Sequence, residues 1–475
     1  MASQEVKTIL STIPDGRTKY FRYRQRQLWS LHKWVDLHQD AIKASFLSDN
    51  IAVGSETQYL IAEILLEIRQ NYEALDLKSE LDLEYAIAKG QNRPDRKVPE
   101  NLIYIIPDKY TQLYSVISAV SAAIAAGSGC IVELVHDPTQ TNQLLRRCFA
   151  EALDPAAYTC VTSRPPANIL AKCLIVDQTG GIAPGVGRRL LSSDATAATM
   201  AVIDRTANLA LAAAELGTAL RAFSSKGPYA PRCILINEFV AEEFVSMLPE
   251  ELSRTFDKPL SAPDSSPASQ VSRGHGSKSP AITQLSDRHS DDLQLKVSRD
   301  TPIQLLSFSS LDDVIDGVQN KSEQQPLSAL YIFSDGPSAK YLAQFIAARV
   351  SFVNHIPAKL SIGPAAPIGY AVTPSNRYHR DMFTSPSPQY AHQIGSEVSA
   401  GEAFAAAPSQ LVSKLYGASK TSLRPPDQPK AGDVNFFLQA LLASGVFIVT
   451  PIAVFTYLGA SKLGLSVLPW LTSKK

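Results

Sequence analysis

The chain has 475 residues, 45% of them apolar, which is enough for two or more domains around sizeable cores. Its 45 basic and 45 acidic residues cancel, so the composition argues against a nucleic-acid or strongly acidic partner. The five cysteines are odd in number and show neither CxxC nor Cys/His spacing, so we expect no metal site and a reducing compartment.

Residues 1–92 are predicted to form N-terminal helices. Apolar residues recur at helical spacing around Trp29–Leu37 and again around Tyr59–Ile68. This pattern predicts an amphipathic helical pair that packs on a sheet. The first twenty residues lack the charged-then-apolar order of a signal peptide, so we expect the globular part in the cytosol.

Strands and helices alternate over residues 93–200, which predicts parallel βαβ units in a Rossmann-like domain. The predicted strands are Leu102–Ile106, Cys130–Leu134 and Ile169–Val176, and the predicted helices are Tyr114–Ala126 and Asn142–Ala152. The third strand runs into DQTGGIAPGVG (Asp177–Gly187), followed by a helix-like segment. Gly181, Gly185 and Gly187 are candidates for a backbone phosphate cradle. A tight structural turn is the alternative, and we favour it.

A second α/β succession covers residues 201–260 and 301–370, with strand, long helix, strand and helix over 199–252. The serine-rich stretch 261–300 between the two parts predicts a disordered insert. Residues 371–433 are predicted to hold a closing strand and a flexible tether. The fold class is therefore α/β, with two parallel-sheet domains.

An uncharged stretch, 434–461, lies near the C-terminus. Its core, Phe436–Gly459 (FFLQALLASGVFIVTPIAVFTYLG), is apolar almost throughout. As a helix at about 1.5 Å per residue it spans about 36 Å, enough to cross a bilayer. A buried soluble helix is the alternative. We expect a single-pass C-terminal membrane anchor, without a prediction of which membrane.

Several segments together resemble the aldehyde dehydrogenase family over roughly residues 17–385, and most of all its branch acting on long-chain and aromatic aldehydes. They are, in chain order, Ala123–Gly127 (AIAAG), the helix-loop-strand run Asn208–Val240, Ser310–Asp313 (SLDD), Leu330–Ser334 (LYIFS), Val353-Asn354 and Asp381–Ser385 (DMFTS). The resemblance implies a cofactor domain and a catalytic domain with a cleft between them, and members of that branch can carry a C-terminal membrane helix.

The family's reactive cysteine is not found at its expected position. When Asn208–Val240 is anchored on Ala230-Pro231 and on Cys233–Ile236, that position falls on Pro228. A proline has no thiol and cannot attack an aldehyde. Cys233 is the nearest thiol, and its apolar strand predicts a buried structural role. His355, in the region of the family's substrate pocket, is expected to be a surface or packing residue.

The other positions implied by the resemblance are also substituted. The oxyanion-donor asparagine corresponds to Tyr110, and the general-base glutamate corresponds to Asp194. The lysine that holds the adenosine ribose corresponds to Glu133, where an anion would repel phosphate charge. The glutamate that holds the nicotinamide ribose corresponds to Val297.

These substitutions favour a membrane-anchored pseudoenzyme with no cofactor, acting as a binding, scaffolding or accessory protein in a lipid or secondary-metabolite pathway. The alternative is a divergent NAD(P)-dependent aldehyde dehydrogenase that oxidises a hydrophobic aldehyde to its acid. Besides the membrane, the open partners are a second copy of the chain, a hydrophobic small molecule and another protein.

Overall fold

A computed structural model of the chain describes residues 4–91, 96–134, 139–194, 198–253, 302–321, 326–373, 375–386, 399–404, 410–423 and 445. Residues 1–390 form one compact unit and residues 391–475 form another. The predicted insert 261–300, Val297 and, apart from Gly445, the predicted anchor 434–461 lie outside the described residues. Within those residues, no helix is both long and apolar enough to span a membrane.

The N-terminal part is helical, as predicted, but it holds five helices and not a pair. They are α1 (Gln4–Thr12), α2 (Phe21–Leu37), α3 (Gln39–Ser48), α4 (Gly54–Glu73) and α5 (Leu77–Ala88). Leu28, Leu31 and Ile64 are buried in the apolar core that α2, α3 and α4 share with the first sheet. Burying one such side chain contributes about 1.5–3 kcal/mol to the free energy of folding. The N-terminal helices therefore stabilise the unit together with the first sheet.

The first sheet is parallel and has five strands in the order β4-β3-β2-β5-β6. Its elements are β2 (Leu102–Ile106), α6 (Gln112–Ala126), β3 (Gly129–Glu133), α7 (Gln140–Ala152), β4 (Tyr158–Val161), α8 (Ala167–Leu170), β5 (Leu174–Asp177) and β6 (Arg189–Ser192). The central strand β2 is buried throughout, since helices cover both faces of such a sheet. A short antiparallel pair, β1 (Lys97–Pro99) with β12 (Thr384–Pro386), lies beside it.

The second sheet, also parallel, has the order β11-β10-β7-β8-β9. Its elements are β7 (Thr199–Ile203), α9 (Leu209–Arg221), β8 (Cys233–Asn237), α10 (Ala241–Ser253), β9 (Gln304–Phe308), α11 (Leu311–Lys321), β10 (Ala329–Phe333), α12 (Gly336–Phe345) and β11 (Ser351–Val353). In both sheets the first strand is central, the next two extend to one side and the last two to the other. This is the strand order of a Rossmann-type half, and the predicted α/β class is confirmed.

The predictions were wrong at two places along the first sheet. Residues 169–176 were expected to be one strand, but α8 occupies their beginning and β5 starts only at Leu174. Short apolar runs do not distinguish a buried helical turn from a strand. The Gly-rich run leads into a strand, β6, and not into a helix. The strand β4 was not predicted.

The second unit has two short described helices inside the stretch predicted to be a flexible tether. They are α13 (Ala400–Ala403) and α14 (Gln410–Ser419). None of the α14 side chains is buried.

Candidate functional site

The candidate site lies where the carboxyl edge of the first sheet meets the amino edge of the second. Tyr110 follows β2, and Pro228 precedes β8. A Cβ atom added to Gly227, next to Pro228, would lie 3.5 Å from the Tyr110 hydroxyl oxygen. The structure therefore brings together the two positions that the resemblance assigns to oxyanion donor and nucleophile.

The Tyr110 hydroxyl donates a hydrogen bond to the backbone carbonyl of Ser361. Its ring packs edge-on against Phe223, with 6.5 Å between ring centroids. Ser361 ends a 3₁₀ turn, Ala358–Ser361, that follows the second sheet. A phenol in this position is held by protein atoms, and its one proton is already donated to a protein acceptor.

Pro228 is buried and fixed by its neighbours. Its carbonyl accepts a hydrogen bond from the Thr199 side chain at 3.3 Å. The next residue, Tyr229, accepts a bond from the Tyr331 hydroxyl at its carbonyl, 3.0 Å away. The Tyr229 hydroxyl in turn accepts from the backbone N–H of Ala366 at 2.8 Å. The proline therefore sits in a loop bonded to β7, to β10 and to the segment after Ser361.

The turn before Pro228 is strained. Phe223, Ser224 and Ser225 have consecutive positive φ angles of 49°, 57° and 55°, a conformation that costs roughly 1–2 kcal/mol per non-glycine residue. Two side chains hold it: the Glu56 carboxylate accepts the Phe223 N–H at 2.8 Å, and Arg232 donates to the Ser225 carbonyl. Sequence reasoning did not identify this support, because Glu56 lies in α4, far away in sequence.

Gln178 occupies the point where the strand order of the first sheet reverses, between β2 and β5. Its side-chain oxygen accepts the Asp108 N–H at 3.0 Å, and its amide nitrogen donates to the Ser115 carbonyl at 2.9 Å. Ligands of open α/β sheets bind in the crevice at this reversal. Gln178 was not predicted as a site residue, although its place directly after the strand Leu174–Asp177 is the signal that could have identified it.

The Gly-rich run forms a turn around the Asp177 carboxylate. That carboxylate accepts the backbone N–H groups of Thr179 and Ile182, at 2.9 and 2.7 Å. At Gly187 a Cβ atom would lie 2.7 Å from the Ile175 side chain, so this glycine serves close packing. Gly181 and Gly185 are exposed. The backbone N–H groups that could bind a phosphate are thus already bonded to the Asp177 carboxylate. The run is followed by the strand β6 and not by a helix N-terminus.

Glu133 ends β3 and is paired. Its carboxylate accepts the Tyr104 hydroxyl at 2.6 Å and lies 3.2 Å from the Arg164 guanidinium. The sequence predicts that an anion here repels phosphate charge, and Arg164, on the loop after β4, offsets part of that negative charge. Repulsion of phosphate by Glu133 is correspondingly weaker than expected.

Asp194, Cys233 and His355 are the remaining candidates from the sequence. Asp194 is half-buried and follows Ser193, whose hydroxyl donates to the Ala365 carbonyl at 2.6 Å. Cys233 is buried in an apolar cluster at the start of β8, as predicted. Burial raises the pKa of Cys173 to about 12 and that of Cys160 to about 12, which keeps these thiols protonated. His355 is exposed, as predicted for a surface residue.

A buried ionic cluster joins the N-terminal helices to the turn that accepts the Tyr110 bond. Glu67 is fully buried, and it accepts the Tyr114 hydroxyl at 2.6 Å and the Ser118 hydroxyl at 3.0 Å. The Lys359 ammonium lies 3.1 Å from both Glu67 and Glu63. Burial raises the pKa of Tyr114, so it acts as a hydrogen-bond donor. The described residues contain no group of three or more metal-binding side chains.

Solved structures show which fold this is. AldH of Staphylococcus aureus, in its substrate-bound state, superposes with a TM-score of 0.63 at 16% identity, over 89% of this chain and 100% of that one. An acetylating aldehyde dehydrogenase from Geobacillus thermoglucosidasius gives 0.58 at 12% identity, over 83% and 98%. The glyceraldehyde-3-phosphate dehydrogenase GapN from Methanocaldococcus jannaschii, complexed with NADP, gives 0.57 at 11%, over 74% and 85%.

No protein-family model matches the sequence, and no curated protein matches it. At identities of 11–16% the structural likeness shows the fold alone. The chain therefore has the aldehyde dehydrogenase fold, with two parallel Rossmann-like sheets.

Proposed function

We propose that this chain is a membrane-anchored pseudoenzyme with the aldehyde dehydrogenase fold, which works by binding or scaffolding in a lipid or secondary-metabolite pathway. The observation that carries the proposal is the Tyr110 hydrogen bond. An oxyanion donor must point at the position where negative charge develops on the substrate. The Tyr110 proton is instead donated to the Ser361 carbonyl, beside the loop that holds Pro228.

The contacts around the first sheet support a protein without NAD(P). Gln178 bridges the crevice at the strand-order reversal, and the turn after β5 directs its N–H groups to Asp177. A pyrophosphate would have to displace both sets of bonds, each worth about 0.5–1.5 kcal/mol net. These residues do not fit a dinucleotide, and we assign it no part in the function.

The membrane part of the proposal rests on sequence. The uncharged stretch 434–461 is long enough to cross a bilayer, and it follows the polar segment 424–433. If it spans a membrane, alkaline carbonate extraction will leave the full chain with the membrane pellet, and deletion of residues 431–475 will release it. Release of the full chain by carbonate would refute the anchor.

A second candidate function, a divergent NAD-dependent aldehyde dehydrogenase, is favoured by Glu133. A carboxylate that ends the second strand of a Rossmann sheet is suited to accept hydrogen bonds from a ribose 2′-hydroxyl. Glu133 ends β3, the second strand of its sheet, and its side chain is 13% exposed. This candidate predicts that NAD binds and that NADP, with its 2′-phosphate, does not.

Calorimetric titration of residues 1–430 with NAD and NADP distinguishes the two functions. The pseudoenzyme proposal predicts no heat of binding from either dinucleotide at millimolar concentration. Saturable micromolar binding would refute it in this form, and turnover of long-chain aldehydes would then be assayed. Abolition of that turnover by Cys233→Ala would identify the nucleophile as Cys233, whereas unchanged turnover would exclude it.

A further inference from the structure

Residues 16–35 form the most basic stretch of the N-terminal part. They contain six lysine and arginine residues and no aspartate or glutamate, in a chain whose 45 basic and 45 acidic residues cancel overall. Two of the six are neutralised where they lie. Arg17 pairs with Asp15 and Asp154, and the buried Arg24 pairs with Glu80. The other four cations of the stretch are Lys19, Arg22, Arg26 and Lys33.

Three of those cations form one exposed line along α2. Arg22, Arg26 and Lys33 are all exposed, and Trp29 lies between them with 55% of its surface exposed. Spacings of four, three and four residues place all four on one face of the helix. At about 1.5 Å per residue the line is about 17 Å long. We call these four residues the α2 ridge.

The ridge has no acidic partner among the described residues. No ion pair within the described part of the chain involves Arg22, Arg26 or Lys33. Within the group, the Lys33 ammonium lies over the Trp29 ring, 4.9 Å from its centroid. The three cations are therefore available to an anionic partner outside the described part of the chain.

Apolar side chains accompany the cations. Tyr20, just before the helix, is 65% exposed, and Leu37, one turn beyond Lys33, is 68% exposed. Cations combined with exposed tryptophan, tyrosine and leucine suit the boundary between lipid headgroups and acyl chains. A nucleic-acid backbone would use the cations but not Leu37, and it would gain nothing from Trp29 in duplex form.

We propose that the α2 ridge binds the phosphate and carboxylate groups of an anionic phospholipid surface, with Trp29 inserted at headgroup depth. The choice of lipid rests on the membrane attachment proposed above, whereas the ridge itself is a feature of residues 1–390. Each lysine or arginine near an anionic bilayer strengthens binding about five-fold. The three cations together therefore account for about a 100-fold preference for anionic over neutral lipid.

Residues 1–390 are the appropriate protein for the test, because they form one compact unit with its own apolar cores and lack the predicted anchor. Co-sedimentation is measured with phosphatidylcholine vesicles, with and without a phosphatidylserine fraction of about one third. We expect binding only to the mixed vesicles, weakened by salt. The triple variant Arg22→Gln, Arg26→Gln, Lys33→Gln should bind about 100-fold more weakly.

A matched control removes the same charge elsewhere. Lys172, Arg205 and Lys340 are exposed, and their triple substitution by glutamine should leave vesicle binding within about two-fold of the parent, since these cations lie outside the ridge. In Trp29→Phe, binding should persist while the blue shift of tryptophan fluorescence on vesicle addition is lost. Circular dichroism checks that each variant remains folded.

Four outcomes would overturn the proposal: no binding to mixed vesicles, equal binding to neutral ones, equal loss in the control triple, or tighter binding to a single-stranded RNA oligonucleotide than to vesicles. None of them affects the pseudoenzyme proposal, which depends on dinucleotide titration. Conversely, NAD binding would refute that proposal and leave the lipid result unchanged.

Discussion

At the scale of single residues, Tyr110 shows how one side chain changes what a cleft can do. A tyrosine is longer than asparagine, so its hydroxyl reaches across to the 3₁₀ turn at Ser361. The same hydroxyl lies beside Gly227, where any Cβ atom would be 3.1 Å from the Ser361 oxygen. The tyrosine therefore contributes to the fold at a position where the family resemblance implies a contribution to catalysis.

Substitution Tyr110→Phe tests that contribution. It removes the donor and leaves the Ser361 carbonyl without this partner, so the free energy of unfolding should fall by about 1 kcal/mol. Urea denaturation of residues 1–430 measures it. Tyr341→Phe is the control: Tyr341 donates to Asp312 on the exposed surface, and its loss should change stability by less than about 0.5 kcal/mol. Equal effects would show that the Ser361 bond is not formed in solution.

His379 gives the protein a stability that depends on pH. His379 is partly exposed, and the partial loss of solvent around it lowers its pKa, opposed by nearby Asp381 and assisted by Lys97. Below the unfolded pKa of about 6.5 the unfolded chain takes up a proton that the folded chain resists, so stability falls as pH drops from about 7 to 5. Asp381, whose pKa is lowered mainly by its bond to Lys97, contributes above about pH 4 and loses that contribution at lower pH.

The variant His379→Gln should lose that dependence. Its free energy of unfolding should change less between about pH 7 and pH 5 than that of the parent, since one protonation difference is gone. Denaturation curves at a series of pH values provide the comparison. Identical slopes would mean that His379 has the same proton affinity in the folded and the unfolded chain.

At the scale of elements, the turn Ala358–Ser361 with Gly363 connects the second half of the unit to α4 and α6. Gly363 has a φ of +77°, and a Cβ atom there would lie 2.5 Å from the Tyr114 ring. The Gly363 N–H is bonded to the Thr111 hydroxyl at 2.8 Å. Tyr114 itself is held by Glu67. The turn therefore packs against a ring that has no freedom to move aside.

Gly363→Ala and Gly369→Ala separate backbone strain from packing. Gly369 also has a positive φ, +85°, but no atom lies within 4 Å of its Cβ position. Gly369→Ala should therefore lower the free energy of unfolding by about 1 kcal/mol. Gly363→Ala should lower it by about 2–4 kcal/mol, because the methyl group adds a clash with Tyr114. Equal losses in urea denaturation would contradict the packing of this turn on α6.

The sequence predicted elements better than it predicted contacts. Leu102–Ile106 was located to the residue, because an apolar run between turn signals has few other solutions. The partners of the site residues were not predictable. Arg164 lies 31 positions from Glu133, and Ser361 lies 251 from Tyr110. Local patterns carry no information about such pairs, so neither the Arg164 partner of Glu133 nor the Ser361 bond of Tyr110 was predicted.

At the scale of the whole molecule, residues 1–390 hold two sheets of the same strand order in one compact unit. Side chains of the first half form hydrogen bonds and ion pairs with the second half. Glu67 and Lys359 join α4 to the turn after β11, and Tyr110, after β2, donates to the Ser361 carbonyl of the same turn. Breaking one partner of a buried ion pair costs about 3–5 kcal/mol. The arrangement of the two halves therefore depends on contacts across the cleft.

Restoring the thiol tests whether the cleft as a whole has lost its chemistry. In Pro228→Cys we expect no oxidation of a long-chain aldehyde, because the Tyr110 hydroxyl would still be bonded to Ser361 and Gln178 would still bridge the crevice. Adding Tyr110→Asn should not restore activity either, since oxidation of the aldehyde requires a bound hydride acceptor. The absorbance of NADH measures turnover. Titration with a thiol reagent shows whether the thiol introduced by Pro228→Cys is accessible to solvent. Turnover by the single variant would show that the Tyr110 and Gln178 contacts open in solution, and that the proline alone separates this chain from an enzyme.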